Sequence, residues 1–335
     1  MINYAPRPSS GRSTRMTKPI EIERRPLGAS RLEAPRIMLG CGNFGGVGSA
    51  PEFFGQGQSE EEAFALMDAA WERGITWFDT ADAYGGGRSE AAIGRWCSSR
   101  GVRPQLTTKT YNPMDTGADH GLSRSRIERQ LASSLERLGV DKVELYLAHE
   151  FDADVPVEET FGAFDDLVAS GRIRAYGVSN FSASQMERAV AAASPACVQN
   201  SYSLLERGDE HDLLPLCEAR GIAYVAFGPL GGGWLTGKYR RGAPFPEGSR
   251  MTQRPEPYEH FVQDEVFDAL EALERMASDG GVSMAGLALA WLLGEPRLTA
   301  VVVGPTRPEH LRPVQEALAN PLGPAERDAL SKVFG

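Results

Sequence analysis

Cysteine is scarce in this chain of 335 residues: Cys41, Cys97, Cys197 and Cys217 stand far apart and form no C-x-x-C pair. That spacing excludes a disulfide framework and a thiolate zinc ribbon, and reduced thiols in a cytosol are the simple reading. Long apolar runs are missing as well. No stretch reaches the roughly eighteen continuous apolar residues of a membrane span, so no membrane partner is expected. Positive charge is in deficit, with 35 Lys and Arg against 45 Asp and Glu and a net charge of −10. Phosphate backbones are held by clustered bases, so nucleic acid is not expected as a partner either. The first twenty residues contain Arg7, Arg12, Arg15 and Lys18 and no acidic residue, but they lack the apolar core of a secretory signal. They read as a disordered tail ahead of one ordered domain over 21–335.

What remains is a globular composition, 41% hydrophobic and 24% charged. Its most informative feature is a recurring joint: a helical pattern, a glycine, then a short apolar run. It occurs at Gly74, Gly101, Gly139, Gly171 and Gly221. A glycine just past a helix takes the left-handed conformation, and the run behind it is short enough to be a buried strand. With a first run over Arg36 to Leu39 and less marked ones over Ala196 to Asn200 and Thr299 to Val303, the runs near 37, 77, 106, 145, 176, 198, 225 and 302 make eight strands. Eight strands alternating with helices fit a (β/α)8 barrel, although a doubly wound open sheet alternates in the same way. Gly28-Ala29-Ser30 between two apolar stretches predicts a hairpin capping the barrel's bottom. Residues 231 to 260, rich in Gly, Pro and Arg, predict a long loop of the kind that often acts as a lid. Gly40-x-Gly42-x-x-Gly45 after the first strand spells a dinucleotide-binding fingerprint, yet residues 46 to 58 open no helix, so the motif is set aside. In that segment Asn43, Phe44, Phe53 and Phe54 either line a substrate pocket or simply pack over the barrel mouth.

In a barrel, function gathers where strands end. The second strand ends at Asp79 with Tyr84 five residues on, the third at Lys109, and the fourth at His149. The fifth ends at Ser179 and Asn180, the sixth at Gln199, and the seventh runs into VAFGPLGGG. Singly, Asp79 reads as a helix cap, Tyr84 as a loop tyrosine and His149 as a structural histidine. Together they make chemical sense. An ammonium beside a tyrosine stabilises phenolate and lowers the phenol's pKa, and Lys109 would supply it. Asp79 would hold the lysine by ion pairing and His149 would orient a substrate oxygen. Such a tyrosine donates a proton to a carbonyl while a cofactor delivers hydride.

These residues carry a family resemblance. GITWFDTADAYGGGRSE at 74–90, TKT at 108–110, the histidine-ended LYLAH, GVSNF at 177–181 and PLGGGWLTGKY at 229–239 follow one another in the order seen in aldo-keto reductases. The resemblance runs from about residue 22 to the end. It implies a TIM barrel, a tetrad of Asp79, Tyr84, Lys109 and His149, and no metal. It also implies NADP(H) as the preferred cofactor, with NAD(H) possible, and Ser179, Asn180 and Gln199 on the nicotinamide carboxamide. Phe227 and Gly228 stand where many relatives have Tyr-Ser, so ring stacking survives and a hydroxyl contact to the pyrophosphate is missing. The backbone amides of Gly231 to Gly233, next to Leu230, and the charge of Lys238 would offset that loss. On the adenosine side the resemblance points to Gly304, Thr306, Arg307 and His310, with Arg307 as the 2′-phosphate partner. An asparagine expected farther on is replaced in the stretch ending at Val314.

The expected function is thus reduction of a small aldehyde or ketone, or the reverse oxidation. Two other functions fit the same residues. Lys109 could instead serve as the nucleophile of a Schiff-base enzyme. The scaffold could also belong to an interaction protein, like the reductase-like β-subunits of potassium channels. Arg240, Arg241, Arg250 and Arg254 in the long loop read as substrate contacts or as a solvated surface.

Overall fold

The structure is a computed structural model that describes residues 21–335, and the expected N-terminal tail lies outside the described residues. Five glycine joints set its rhythm. Gly74, Gly101, Gly139, Gly171 and Gly221 all have φ between +65° and +82°, so each helix stops at a position where a side chain would be strained. The strands behind them are β4 (Trp77–Asp79), β5 (Gln105–Thr110), β6 (Val143–Ala148), β7 (Ile173–Ser179) and β9 (Ala223–Phe227). Three more, β3 (Ile37–Gly40), β8 (Cys197–Ser201) and β10 (Leu298–Val303), fall within a residue or two of their expected places.

Whether the sheet closes was open from alternation alone. It does close: β3 to β10 run parallel in sequence order, and β10 returns to β3 through Val301↔Ile37, Val302↔Met38 and Val303↔Leu39. The helices α1 (Glu60–Glu72), α2 (Arg88–Arg100), α3 (Arg124–Leu138), α4 (Val157–Ala169), α5 (Ala183–Ala192) and α6 (Leu213–Arg220) follow successive strands from β3 to β8. After β9 come α7 (Arg250–Gln253), α8 (Asp264–Asp279) and α9 (Met284–Leu293), and after β10 come α10 (Arg312–Ala319) and α11 (Pro324–Ser331).

Two hydrophobic clusters show which way each strand faces. Ile37, Leu39, Phe78, Tyr146 and Val178 join the helices in the larger one. Met38, Trp77, Leu145, Leu147, Ala175, Val225 and Val302 fill the barrel's interior in the smaller. Successive strand residues therefore alternate between the two layers, as a closed barrel demands. The hairpin of β1 (Arg24–Pro26) and β2 (Glu33–Pro35) seals the bottom, with Leu27 and Leu32 entering the interior cluster.

The segment 231–260 departs from the expected featureless loop. It contains a tight 3₁₀ stretch at Gly231–Thr236, α7, and a second 3₁₀ turn at Glu259–Phe261. Trp234, fully buried, explains the order: Tyr239, Phe245, Phe261 and Phe267 surround it with ring centroids 4.9–6.2 Å away. Spacing hid this because the aromatics lie scattered among glycines and prolines. Among the described residues no single helix is long and apolar enough to cross a membrane.

Candidate active site

The interior face of the barrel is made of odd-numbered residues through six consecutive strands, and that parity builds the site. Trp77 below places Asp79 above; Thr107 places Lys109; Leu145 and Leu147 place His149. The same stepping carries Ala175 to Ser179, Cys197 to Gln199 and Val225 to Phe227. The apolar lower layers and the polar top layer thus come from one alternation. Trp77 Nε1 donates to Thr107 Oγ1 at 2.7 Å, tying the layer just below the site.

Lys109 is 1% exposed and Asp79 2%, so their charges must satisfy each other. The ammonium bonds Asp79 Oδ1 and donates to the Thr80 carbonyl at 2.9 Å. The other oxygen, Asp79 Oδ2, accepts from Gln199 Nε2 at 2.8 Å. One carboxylate therefore links two strand ends across the barrel. Burial opposes the lysine's charge, but Asp79 and then Tyr84 outweigh it and hold its pKa above 10.5.

Tyr84 begins a 3₁₀ turn, Tyr84–Gly87, in which three glycines with positive φ bend the chain back against the loop that follows β3. Lys109 Nζ lies 5.1 Å from its ring centroid and the His149 ring 5.6 Å away, edge-on. One expectation is corrected here. Desolvation raises the Tyr84 pKa above 10 and outweighs the Lys109 charge pulling it down, with Asp79 cancelling part of that charge. The phenol is therefore protonated at neutral pH. Burial, then Lys109, also push the His149 pKa well below 6.5, so the imidazole is neutral, with Nδ1 buried and unpartnered.

Ser179, Asn180 and Gln199 are joined by their own bonds: Ser179 Oγ and the Asn180 N–H both donate to the Gln199 carbonyl, at 2.8 and 3.1 Å. Phe227, half-buried, and Gly228 end β9 beside them. The phosphate cradle expected at Gly231 to Gly233 is not as free as its sequence implies. Their φ angles of +51°, +62° and +97° coil the chain so tightly that the Gly231 and Gly233 amides donate to the Gly228 and Leu230 carbonyls, each at 2.9 Å. Lys238 folds back over this turn, its Nζ 5.0 Å from the Tyr239 ring centroid.

A separate exposed group follows β10. Beyond Gly304, Thr306 Oγ1 lies 3.1 Å from His310 Nδ1, and Arg307 Nη2 lies 3.3 Å from His310 Nε2. Desolvation, then Arg307, lower the His310 pKa, and Lys238 adds to that from the neighbouring loop. Basic side chains from two loops thus converge here.

The segment 42–58 opens no helix, apart from a 3₁₀ turn at Pro51–Phe53, in keeping with the rejected fingerprint. Phe44 is fully buried in the helix-side cluster, so packing accounts for it. Asn43 accepts from Arg250, and Arg254 lies 5.7 Å over Phe53, so the two long loops meet across the mouth. Arg240 and Arg241 instead pair on the exterior with Glu274, and with Asp264, Asp268 and Glu271.

Several polar residues are given no role by the sequence reading, although Asp82 and Glu90 stand within the 74–90 motif. Arg126 on α3 donates to Thr110 Oγ1 and to the Gly121 and Asn112 carbonyls at 2.8–3.1 Å, and so holds the loop that follows β5. Glu90, fully buried, accepts from Thr108 and from Arg137. Asp82 is buried with neither carboxylate oxygen bonded, and burial with Glu90 nearby raises its pKa to about 7. Glu150, the next residue after His149, bonds Asn180. Its only signal was its place in AHE at a strand end.

This arrangement has counterparts among known proteins. A sequence model of the Aldo/keto reductase family matches residues 36–333. An uncharacterised oxidoreductase of Bacillus subtilis is 36% identical over 311 residues, covering 87% of this chain and 90% of that one. An NADP(+) aldo-keto reductase of Schizosaccharomyces pombe is 33% identical over 76% of each chain. The structure of a glycerol dehydrogenase from Gluconobacter oxydans superposes with a TM-score of 0.79 at 27% identity, over 93% of this chain and 94% of its own.

Proposed function

This chain belongs to the aldo/keto reductase family of oxidoreductases, and on that premise we propose that it catalyses the reversible, NADP(H)-dependent reduction of an aldehyde or ketone with Tyr84 as the acid. The observation that carries the reading is the buried Lys109, spent on Asp79 and Thr80 while facing the Tyr84 ring. A nicotinamide cofactor supplies the hydride when bound. The residues suit one: the flat side chain of Phe227, the carboxamides of Asn180 and Gln199, and the exposed Lys238, Thr306, Arg307 and His310 for its phosphates.

The chain's own residues then account for the proton. Tyr84 holds it at the phenol oxygen, because burial keeps the hydroxyl protonated at neutral pH. Lys109 offsets the charge that develops on that oxygen once the proton has gone to the substrate. His149, neutral, can donate a hydrogen bond to the same carbonyl without adding a second positive charge. Asp79 keeps Lys109 charged and in place. Those features also disfavour the Schiff-base reading, since an ion-paired lysine with a raised pKa has no free lone pair to attack a carbonyl.

Binding is tested first, by titrating the chain with NADPH and following fluorescence. Tyr84→Phe is expected to keep cofactor affinity and to lose on the order of 10³-fold in turnover across an aldehyde panel. Undiminished turnover in that variant means the acid lies elsewhere.

A further inference from the structure

We propose that Glu150 is a positioning residue for the nicotinamide end of the cofactor: its carboxylate holds the Asn180 carboxamide in the one orientation that leaves Oδ1 free to accept a hydrogen bond from the cofactor's amide. The inference rests on the reading above, in which Asn180 faces that amide.

Asn180 has φ +58°, the only non-glycine residue with positive φ among those described. That conformation turns the side chain away from the line of β7, back toward the end of β6. There Nδ2 donates to two acceptors, the His149 carbonyl and Glu150 Oε1, both at 2.9 Å. A carboxamide has a donor end and an acceptor end. Rotating it by half a turn would set Oδ1 against a carbonyl oxygen and a carboxylate at once, so the two acceptors dictate which end faces away from them. Glu150 is half-buried and the Asn180 bond is its one hydrogen bond among the described residues. Burial raises its pKa to about 7 against the lowering effect of that bond, and no cation contributes. A carboxyl kept in such a place without a counterion serves the side chain it holds.

The strand ends make this contact rigid. The His149 N–H donates to the Thr110 carbonyl at 2.9 Å and the Asn180 N–H to the Gln199 carbonyl, which fixes both backbones. What is left to rotate is the Asn180 side chain, and Glu150 is the second of its two restraints. Glutamine keeps an acceptor oxygen at that position; alanine removes it.

The test measures cofactor affinity by fluorescence titration of the full chain. The two probes are NADPH and adenosine 2′,5′-bisphosphate, which has the phosphorylated adenosine end and no nicotinamide. Glu150→Ala is expected to weaken NADPH about fivefold, because the His149 carbonyl alone then opposes rotation of the Asn180 carboxamide, and to leave the bisphosphate unchanged. Glu150→Gln should restore NADPH binding to within about twofold of the parent chain. Three results overturn the proposal: unchanged NADPH affinity in Glu150→Ala, an equal loss for both probes, or a Gln variant as weak as the Ala variant. If the parent chain binds neither probe, it is the proposed cofactor that fails, and the role of Glu150 with it.

Discussion

The two ends of the site are built differently. At the barrel mouth Asp79, Lys109, Gln199, Ser179 and Asn180 are bonded to one another, and all but the half-buried Asn180 are shielded from water. After β10, Thr306, Arg307 and His310 lie exposed, touching mainly each other, with Gln58 Nε2 bonding the Thr306 carbonyl at 2.9 Å. In the dry end each partner's position is imposed by the next, because an unpaired buried charge is too costly to tolerate. Solvent can satisfy every group in the wet end, so side chains there can be exchanged with little effect on the fold. On the proposed reading, proton chemistry would sit in the part of the molecule that cannot vary without loss, and cofactor preference in the part that can.

The strongest way to sharpen that contrast is to break the dry ion pair. Lys109→Met strands the Asp79 carboxylate and is expected to cost roughly 3–5 kcal/mol in denaturant unfolding and to abolish turnover. The double variant Asp79→Asn with Lys109→Met should regain most of that stability and none of the activity. A single variant as stable as the parent would show that the pair is not the constraint described.

At the wet end the expected effect is smaller and confined to the ligand. Arg307→Ala should weaken NADPH about tenfold, the share of a partly solvated guanidinium-phosphate contact, and leave NADH affinity and thermal stability alone. Equal losses for both nucleotides would assign Arg307 to something other than the 2′-phosphate.

The smallest effect concerns pH. Asp82, raised from 3.8 to about 7, holds its proton in the folded chain where the unfolded chain has already released it. Stability contributed this way falls as pH rises from about 4 to about 7. Asp82→Asn removes the cost of ionising a buried group, so its melting temperature should gain about 2–4 °C on the parent at pH 8 compared with pH 5. The same gain at both pH values would trace the effect to packing.

Much of the dry end was legible because a strand alternates strictly. An apolar run with a reactive residue at its end already states which face that residue shares, which is why Asp79, Lys109, His149, Ser179 and Gln199 stand out together. Glu90, Arg126 and Arg137 did not, because each looks like an ordinary helix-surface charge until α2 and α3 are laid against the barrel. Glu150 stayed hidden beside His149 because its partner is thirty residues away, just past the end of another strand.

The glycine joints and the two-residue alternation, both local properties, were enough to place most of the strands and to say which residues share the face at their ends, while the order of the strands in the sheet came from the tertiary structure. Closure of the sheet, the sign of the Tyr84 shift and the orientation of Asn180 belong to the tertiary structure alone. Each depends on how far water is excluded and which distant group fills its place. Desolvation at Tyr84 exceeds the pull of a lysine whose charge Asp79 has partly cancelled, and that balance exists only once β4, β5 and β8 have met.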